Sequence, residues 1–266
     1  MYRIFENRIY EGVRVIKSQE SREASFGFLS SFSLKVIACI LMAIDHIGYR
    51  LLPGVVELRI IGRLAFPIFA FFIAEGCRYT RRPWKRFLTV FLFGVAYLLF
   101  YLVYDGILYA SIFLTFSVSI LVIMLLKWCK TYIFNDFKLY KALLALLFFA
   151  LTLLLLYPLF EVMRFDYGYA GMLVPVFINL FDFRGTNAPE ALKKLDTHST
   201  KLLCLTASLL ILAANGSMGN IQYYSLLSLI PLLFYNGKPG ISRFKYGFYI
   251  FYPVHLIIIE AIRLFF

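Results

Sequence analysis

Asp45 and His46 lie together in the run Met42-Ala-Ile-Asp-His-Ile-Gly48, inside a stretch that is otherwise apolar. An ionisable side chain at the centre of a membrane span costs roughly 2.5 to 3.5 kcal/mol on insertion scales, so each such residue is a functional candidate. An imidazole titrates near neutrality and can take a proton from an attacking amine or hydroxyl, which makes His46 a chemically sensible general base. Neighbours on a helix point about 100° apart, so Asp45 cannot orient His46 in the manner of a triad; each must find a partner on another helix. Arg59 and Arg63 are four apart on one helical face, and Pro67, lacking an N–H, frees the carbonyl of Arg63 and should kink the helix there. A cation beside a freed carbonyl suits a ligand cavity; the alternative is that Arg63 simply pairs with Asp45, as buried charges usually do. Tyr252 and His255, three apart, share a face of the last apolar run, where Pro253 frees the carbonyl of Tyr249. Taken alone, His255 is as compatible with interhelical hydrogen bonding as with catalysis. His198, in a polar segment, reads as solvated. Neither a GxSxG elbow, a Gly-rich phosphate loop nor metal-ligand spacing accompanies these residues, so the chemistry left is proton and acyl transfer, or ion movement.

The elements that must position them are membrane helices. Of 266 residues, 61% are hydrophobic, 19% aromatic and only 16% charged, against about 25% charged in soluble domains. No soluble fold of this length hides 29 Phe and 19 Tyr; the solvent must be lipid. Apolar runs at Phe32 to Leu52, Ile60 to Cys77, Phe87 to Tyr104, Ile107 to Leu126, Ala142 to Phe160, Tyr167 to Phe181, Leu202 to Asn215, Ile221 to Tyr235 and Tyr246 to Leu264 predict an all-α polytopic bundle of about nine spans, several of them short. Residues 1–31 are expected to form a separate amphipathic cytoplasmic segment with no removable signal peptide, and 32–266 the transmembrane domain.

The formal charge of +12 follows topology. With the N-terminus inside and the C-terminus outside, 22 of the 27 basic residues fall on cytoplasmic segments, and only Arg50, Arg59, Arg63, Arg164 and Arg263 do not. The basic residues are not gathered on one solvated face beside stacking partners, which argues against a nucleic-acid partner. Cys39, Cys77, Cys129 and Cys204 are too dispersed for a metal site and read as packing residues.

Seven motifs, in order from about residue 34 to residue 262, resemble the TraX family: Leu34-Lys-Val-Ile-Ala, Met42-Ala-Ile-Asp-His-Ile-Gly, Ile61-Gly-Arg-Leu-Ala-Phe-Pro-Ile-Phe-Ala, Glu75-Gly-Cys-Arg-Tyr-Thr-Arg, Asp166-Tyr-Gly-Tyr-Ala-Gly, Gln222-Tyr-Tyr-Ser-Leu-Leu and Tyr249-Ile-Phe-Tyr-Pro-Val-His-Leu. That family takes its name from an enzyme that N-acetylates pilin and is similar to a broader group of membrane acyltransferases. The resemblance implies a multi-pass protein of the bacterial cytoplasmic membrane that transfers acetyl from cytosolic acetyl-CoA to a pilin-like peptide or a glycan. It implies His46 as the catalytic residue with Asp45 beside it, and Arg63, Glu75, Asp166, Tyr252 and His255 about the same cavity. Arg78, Arg81, Arg82, Lys85 and Arg86 are the expected rim for the CoA phosphates, since guanidinium forks match phosphate oxygens. The competing expectation is an ion- or proton-coupled transporter built on Asp45, His46, Arg63, Glu75 and His255. It is weakened because transporters often carry internal repeats and none is found here.

Overall fold

The protein, described here from a computed structural model, is visible over residues 27–265 apart from 107, 216–218 and 242–246. The amphipathic segment expected before residue 32 therefore lies, through residue 26, outside the described residues. All regular elements described are helical; the only strand-like pairings among the described residues are isolated bridges, Leu29 with Tyr235 and Ala110 with Phe165.

Helix α1 (Ser31–Arg50) starts where the Ser30 side chain accepts the Ser33 N–H at 3.1 Å, satisfying one of the N-terminal donors that a helix leaves unpaired. The second apolar run is split: α2 (Val56–Gly62) and α3 (Ala65–Tyr79) meet at a turn over Arg63 and Leu64. This is the kink that Pro67 predicts, because the Arg63 carbonyl has no N–H four residues on. Helix α4 (Pro83–Asp105) has proline in its first turn and ends at Gly106, whose φ of 66° needs the freedom of glycine. Then follow α5 (Ile112–Asn135), α6 (Leu139–Met163), α7 (Gly168–Ile178), the single turn α8 (Glu190–Lys193) and α9 (His198–Ala214). A 3₁₀ helix (Gly219–Ser228), the short α10 (Leu229–Leu233) and α11 (Gly247–Arg263) complete the chain.

Among the described residues five segments are long and apolar enough to cross a membrane: Ser31–Arg50, Val56–Tyr79, Pro83–Val103, Ile112–Asn135 and Leu139–Met163; α7 and α9 are shorter apolar helices. Along α6, Leu143, Leu147, Leu154 and Leu155 are all exposed, a continuous apolar surface that water would not tolerate on a monomer and that lipid covers. The protein is a multi-pass membrane protein.

Two expected spans differ in detail. The fourth starts later and runs on to Asn135, so Lys127 and Lys130 belong to the helix; the Lys130 ammonium is buried and bonds the Asn179 and Asp182 carbonyls at 2.8 and 3.0 Å. The segment expected to be helical over Ile221 to Tyr235 is wound as 3₁₀ for most of its length. At 2.0 Å per 3₁₀ residue and 1.5 Å per α residue, the stretch from Gly219 to Leu233 reaches about 27 Å, where an α-helix would reach about 22 Å. Tighter winding lets a short segment approach the roughly 30 Å hydrocarbon thickness. It also aligns Gln222, Ser225 and Ser228, three apart and all buried, on one face.

The main core lies where α1, α3 and α9 meet, around Leu34, Ile68, Phe71, Leu205 and Leu209; a second cluster joins α5, α6 and α7 through Leu114, Phe160, Phe165 and Met172. Helix α2 approaches α1 closely. A Cβ at Gly62 would fall 2.2 Å from the Asp45 Cβ and 2.6 Å from its Cα, so the two backbones can meet there only over glycine. Gly62→Ala is expected to cost about 1 to 3 kcal/mol through overpacking, read as a lower unfolding midpoint in detergent. Gly54→Ala, where an added Cβ meets nothing within 4 Å, is the matched control and should leave that midpoint unchanged.

Candidate active site

The site is built around one carboxylate. Asp45, buried on α1, receives Arg59 at 2.8 Å and Arg63 at 2.6 and 2.5 Å on its two oxygens. Arg59 also donates to the Asp45 carbonyl at 3.3 Å. The two arginines sit four apart, one on α2 and one in the turn that Pro67 opens, so the helix break aims both forks at the same acid. Tyr49 lies against the Arg59 guanidinium and Tyr167 against that of Arg63, at 4.8 and 5.8 Å. The alternative in which Arg63 pairs with Asp45 is thus what the structure contains. The Asp45 carboxylate, expected beside His46 in catalysis, is turned to the arginines.

His46 points a different way, as the 100° step requires. Its Nδ1 lies 2.8 Å from the Met42 carbonyl one turn back. A carbonyl can only accept, so Nδ1 carries the proton and Nε2 is the lone-pair nitrogen of the neutral ring. Behind it, His255 from α11 places Nε2 3.3 Å from His46 Nδ1, and Tyr252 sets its ring perpendicular to that of His46 with centroids 6.3 Å apart.

Asp45, His46, Arg59 and Arg63 line a cavity of about 790 Å³, within the roughly 300 to 1,000 Å³ usual for small-ligand sites. The cavity follows α1 from Lys35 to Tyr49, about 20 Å of helix at 1.5 Å per residue. Its two ends differ in chemistry. At the Lys35 end, Arg82, Lys85 and Arg86 also line it; the Arg86 guanidinium donates to the Phe72 carbonyl at 3.2 Å and lies so close over Gly76 that a Cβ there would strike it. At the His46 end the wall is aromatic, with Tyr97, Tyr101, Tyr109 and Phe113. Asp166 lines this end from the turn after α6. The turn is fixed by Asp166 N–H to the Ala110 carbonyl at 2.8 Å and by the Thr115 hydroxyl to the Asp166 carbonyl at 2.8 Å. It carries Tyr167 at a φ of 60°, a conformation a bulky residue adopts only when its surroundings hold it. Here Phe66 stacks on the Tyr167 ring at 3.9 Å between centroids.

The structure thus brings His46, Asp45, Arg63, Asp166 and Tyr252 to one cavity, with His255 directly behind. Three other expected site residues lie elsewhere. Glu75 and Arg78 belong to a separate buried network beneath α9: Glu75 pairs with Lys201 at 3.0 Å and with Arg78 at 3.5 Å, and Arg78 reaches Asp196. Residues one turn apart on α3 face away from α1, which removes Glu75 from the His46 cavity and Arg78 from the phosphate rim. Arg81 is exposed and also outside the cavity lining. The same network ties down the segment after α7, where Arg184 bonds Asp182 at 2.9 Å. Burial alone would raise the Asp182 carboxyl, but the Arg78 and Arg184 guanidinium groups outweigh it and hold that carboxyl well below the usual range.

Lys35 and the tyrosines Tyr97, Tyr101 and Tyr109 line the cavity without standing out in the sequence. The signal available was faint: Tyr97 and Tyr101 are four apart on α4, a spacing that shares a helical face, within a chain already rich in tyrosine. Among the described residues no group of three His, Cys, Asp or Glu gathers as a metal site.

With this geometry in view, the comparison with known proteins is decisive. The profile of the TraX protein family matches residues 30–263. The chain belongs to the TraX family. It is 30% identical over 254 residues, 89% of this chain and 96% of the other, to a probable fimbrial assembly protein FimC, serogroup H1, of Dichelobacter nodosus. It is 36% identical over 103 residues, 39% of this chain and 37% of the other, to the uncharacterized protein RP591 of Rickettsia prowazekii (strain Madrid E). No solved structure matches. The matched region contains every residue of the cavity named above.

Removing one cation from a buried ion cluster leaves uncompensated charge, which typically costs about 3 to 5 kcal/mol. Arg63→Met is expected to destabilise by that order, and the double variant Asp45→Asn with Arg63→Met by clearly less than the sum of the two single changes. Unfolding of the four proteins in detergent measures the coupling; strict additivity would mean that the pair does not act as a unit.

Proposed function

We propose that this TraX-family protein is a membrane-embedded acetyltransferase, moving an acetyl group from cytosolic acetyl-CoA to an amine or hydroxyl of a membrane-proximal or extracytoplasmic acceptor. The observation that carries the reading is a single cavity with a basic end and, about 17 Å along α1, a histidine whose Nε2 is left without a proton by the bond from Nδ1 to Met42. Lys35, Arg82, Lys85 and Arg86 suit the CoA phosphates, for which multidentate cation contacts are the strong ones. The acyl arm would then lie along α1 with its thioester towards His46. His46 Nε2 takes the acceptor proton as the acceptor nitrogen or oxygen bonds the thioester carbonyl carbon. The C–S bond breaks, and the imidazolium returns the proton to the departing thiolate. Arg63 and Asp45 contribute a fixed, nearly neutral wall beside the reacting atoms. Tyr252 packs the ring of His46 in place.

The acceptor fits the aromatic end. A pilin-like peptide N-terminus is supported by the name of the fimbrial assembly relative, and a glycan by the tyrosine-rich lining; neither needs a metal. The topology that serves this chemistry is nine passages in the bacterial cytoplasmic membrane, N-terminus inside and C-terminus outside. It is supported by the distribution of 22 of 27 basic residues. It puts the Lys35 end of the cavity towards the cytosol, where acetyl-CoA is found, and His46 towards the outer half. A transporter relay is the weaker reading, because Asp45 is held by two arginines and Glu75 lies in another network.

The test uses purified protein and its His46→Ala variant in nanodiscs, measuring acetyl-CoA binding and CoA release with membrane extract as the acceptor source. Loss of one general base costs about 10² to 10⁴ in rate, so CoA release should fall by that factor while donor binding persists. Turnover like that of the wild type in the variant would overturn the mechanism. Ion flux in proteoliposomes without any acyl donor would favour transport.

A further inference from the structure

Among the described residues no carboxylate bonds His46 in the way that commonly orients a catalytic imidazole, because the adjacent Asp45 is committed to Arg59 and Arg63. What faces Nδ1 instead is a second imidazole. His255 is buried on α11, and its Nδ1 lies 2.8 Å from the Phe251 carbonyl one turn back. It repeats the arrangement of His46 with Met42. By the same argument His255 Nδ1 carries the proton and its Nε2 is a lone pair. That lone pair sits 3.3 Å from the His46 Nδ1–H, with the two rings at 67° and centroids 5.0 Å apart. The His255 ring is in turn fixed by Phe251, parallel within 10° at 5.0 Å.

We propose that His255 is the positioning residue for His46: its Nε2, with the Met42 carbonyl, accepts the His46 Nδ1–H, holds the ring in the tautomer that leaves Nε2 basic, and stabilises the positive charge His46 gains in the reaction. The inference rests on the acyl-transfer reading for its kinetic meaning, but the tautomer it specifies belongs to the resting protein. The alternative use of two histidines, passing the Nδ1 proton on to His255, is disfavoured by the same geometry. Once Nδ1 lost its proton, its lone pair would face the Met42 carbonyl oxygen at 2.8 Å, an acceptor against an acceptor. The proton that His46 takes at Nε2 is therefore returned from Nε2, and His255 remains neutral throughout. This is an electrostatic role: a preorganised acceptor aimed where charge develops.

Two measurements test it. The chain has three histidines, so nitrogen-15 histidine labelling in nanodiscs gives an assignable spectrum with His198→Gln and His255→Leu as assignment variants. In the wild type the His46 proton should reside on Nδ1, and its resonance should move in His255→Leu. Kinetically, His255→Leu should lower kcat about tenfold to a hundredfold, the scale of a lost hydrogen bond to a charged group, with KM for acetyl-CoA unchanged. His255→Gln, whose Oε1 can accept from Nδ1–H, should recover most of the loss; a merely space-filling role predicts no such rescue. If His255→Leu fails to fold, the wild-type spectrum and the Gln variant still decide. A His46 proton found on Nε2, or an unmoved His46 resonance with unchanged kcat in His255→Leu, overturns the proposal while acyl transfer stands. If the wild type transfers no acetyl group yet shows the Nδ1 proton and its dependence on His255, acyl transfer fails and the histidine pair stands.

Discussion

The rest of the structure depends on the clamp of Arg59 and Arg63 on Asp45. A lone carboxylate in the bundle would be too costly to keep charged, and two guanidinium groups on one side of it would repel each other without it. Meeting that requirement dictates the local fold. The arginines must be one turn apart, the helix that carries them must break so that both forks reach one acid, and the facing helix must approach closely enough to need Gly62. Pro67 supplies the break. Once the clamp is set, α1 is fixed in rotation, and the side chain next to Asp45 can only turn into the cavity and towards α11. The position of His46 is thus a consequence of the neutralisation of its neighbour.

The cavity extends that logic along α1. One helix presents Lys35 near its start and His46 near its end, so a single rigid element links the basic mouth to the reactive ring. Around the His46 end the walls are rigid for separate reasons: the left-handed Tyr167 is locked by stacking on Phe66, and the Asp166 turn is tied to the start of α5. The second charged network, about Glu75, Arg78 and Asp196, plays no part in this cavity. It fastens the segment between α7 and α9 to α3 and so supports the opposite side of that helix.

Much of this was legible in the sequence because a membrane makes charges conspicuous. Asp45, His46, Arg63, Tyr252 and His255 stand out against apolar runs, and Pro67 marks the break before any coordinates are known. What spacing could not supply was direction. Glu75 stands out just as plainly as Asp45, yet whether it faces α1 or α9 is set by how α3 rotates in the bundle, and it faces Lys201. Arg78 poses the same problem: positive-inside topology locates a cation at a membrane surface without saying whether it meets a phosphate or a buried acid, and here it meets Glu75 and Asp196. The 3₁₀ winding of Gly219–Ser228 was hidden because apolar length alone was read, while the three-residue spacing of Gln222, Ser225 and Ser228 was the available cue. Lys35 gave no signal beyond its charge near a span end.

The most direct test of the account is a structure of the protein in nanodiscs with CoA or a non-hydrolysable acetyl-CoA analogue bound. The account predicts phosphates against Lys35, Arg82 and Arg86, and the sulfur end lying along α1 close enough to His46 Nε2 that an acceptor atom between them would sit roughly 3 to 3.5 Å from the carbonyl carbon. A donor bound outside this cavity, or one whose sulfur lies away from His46, would contradict it.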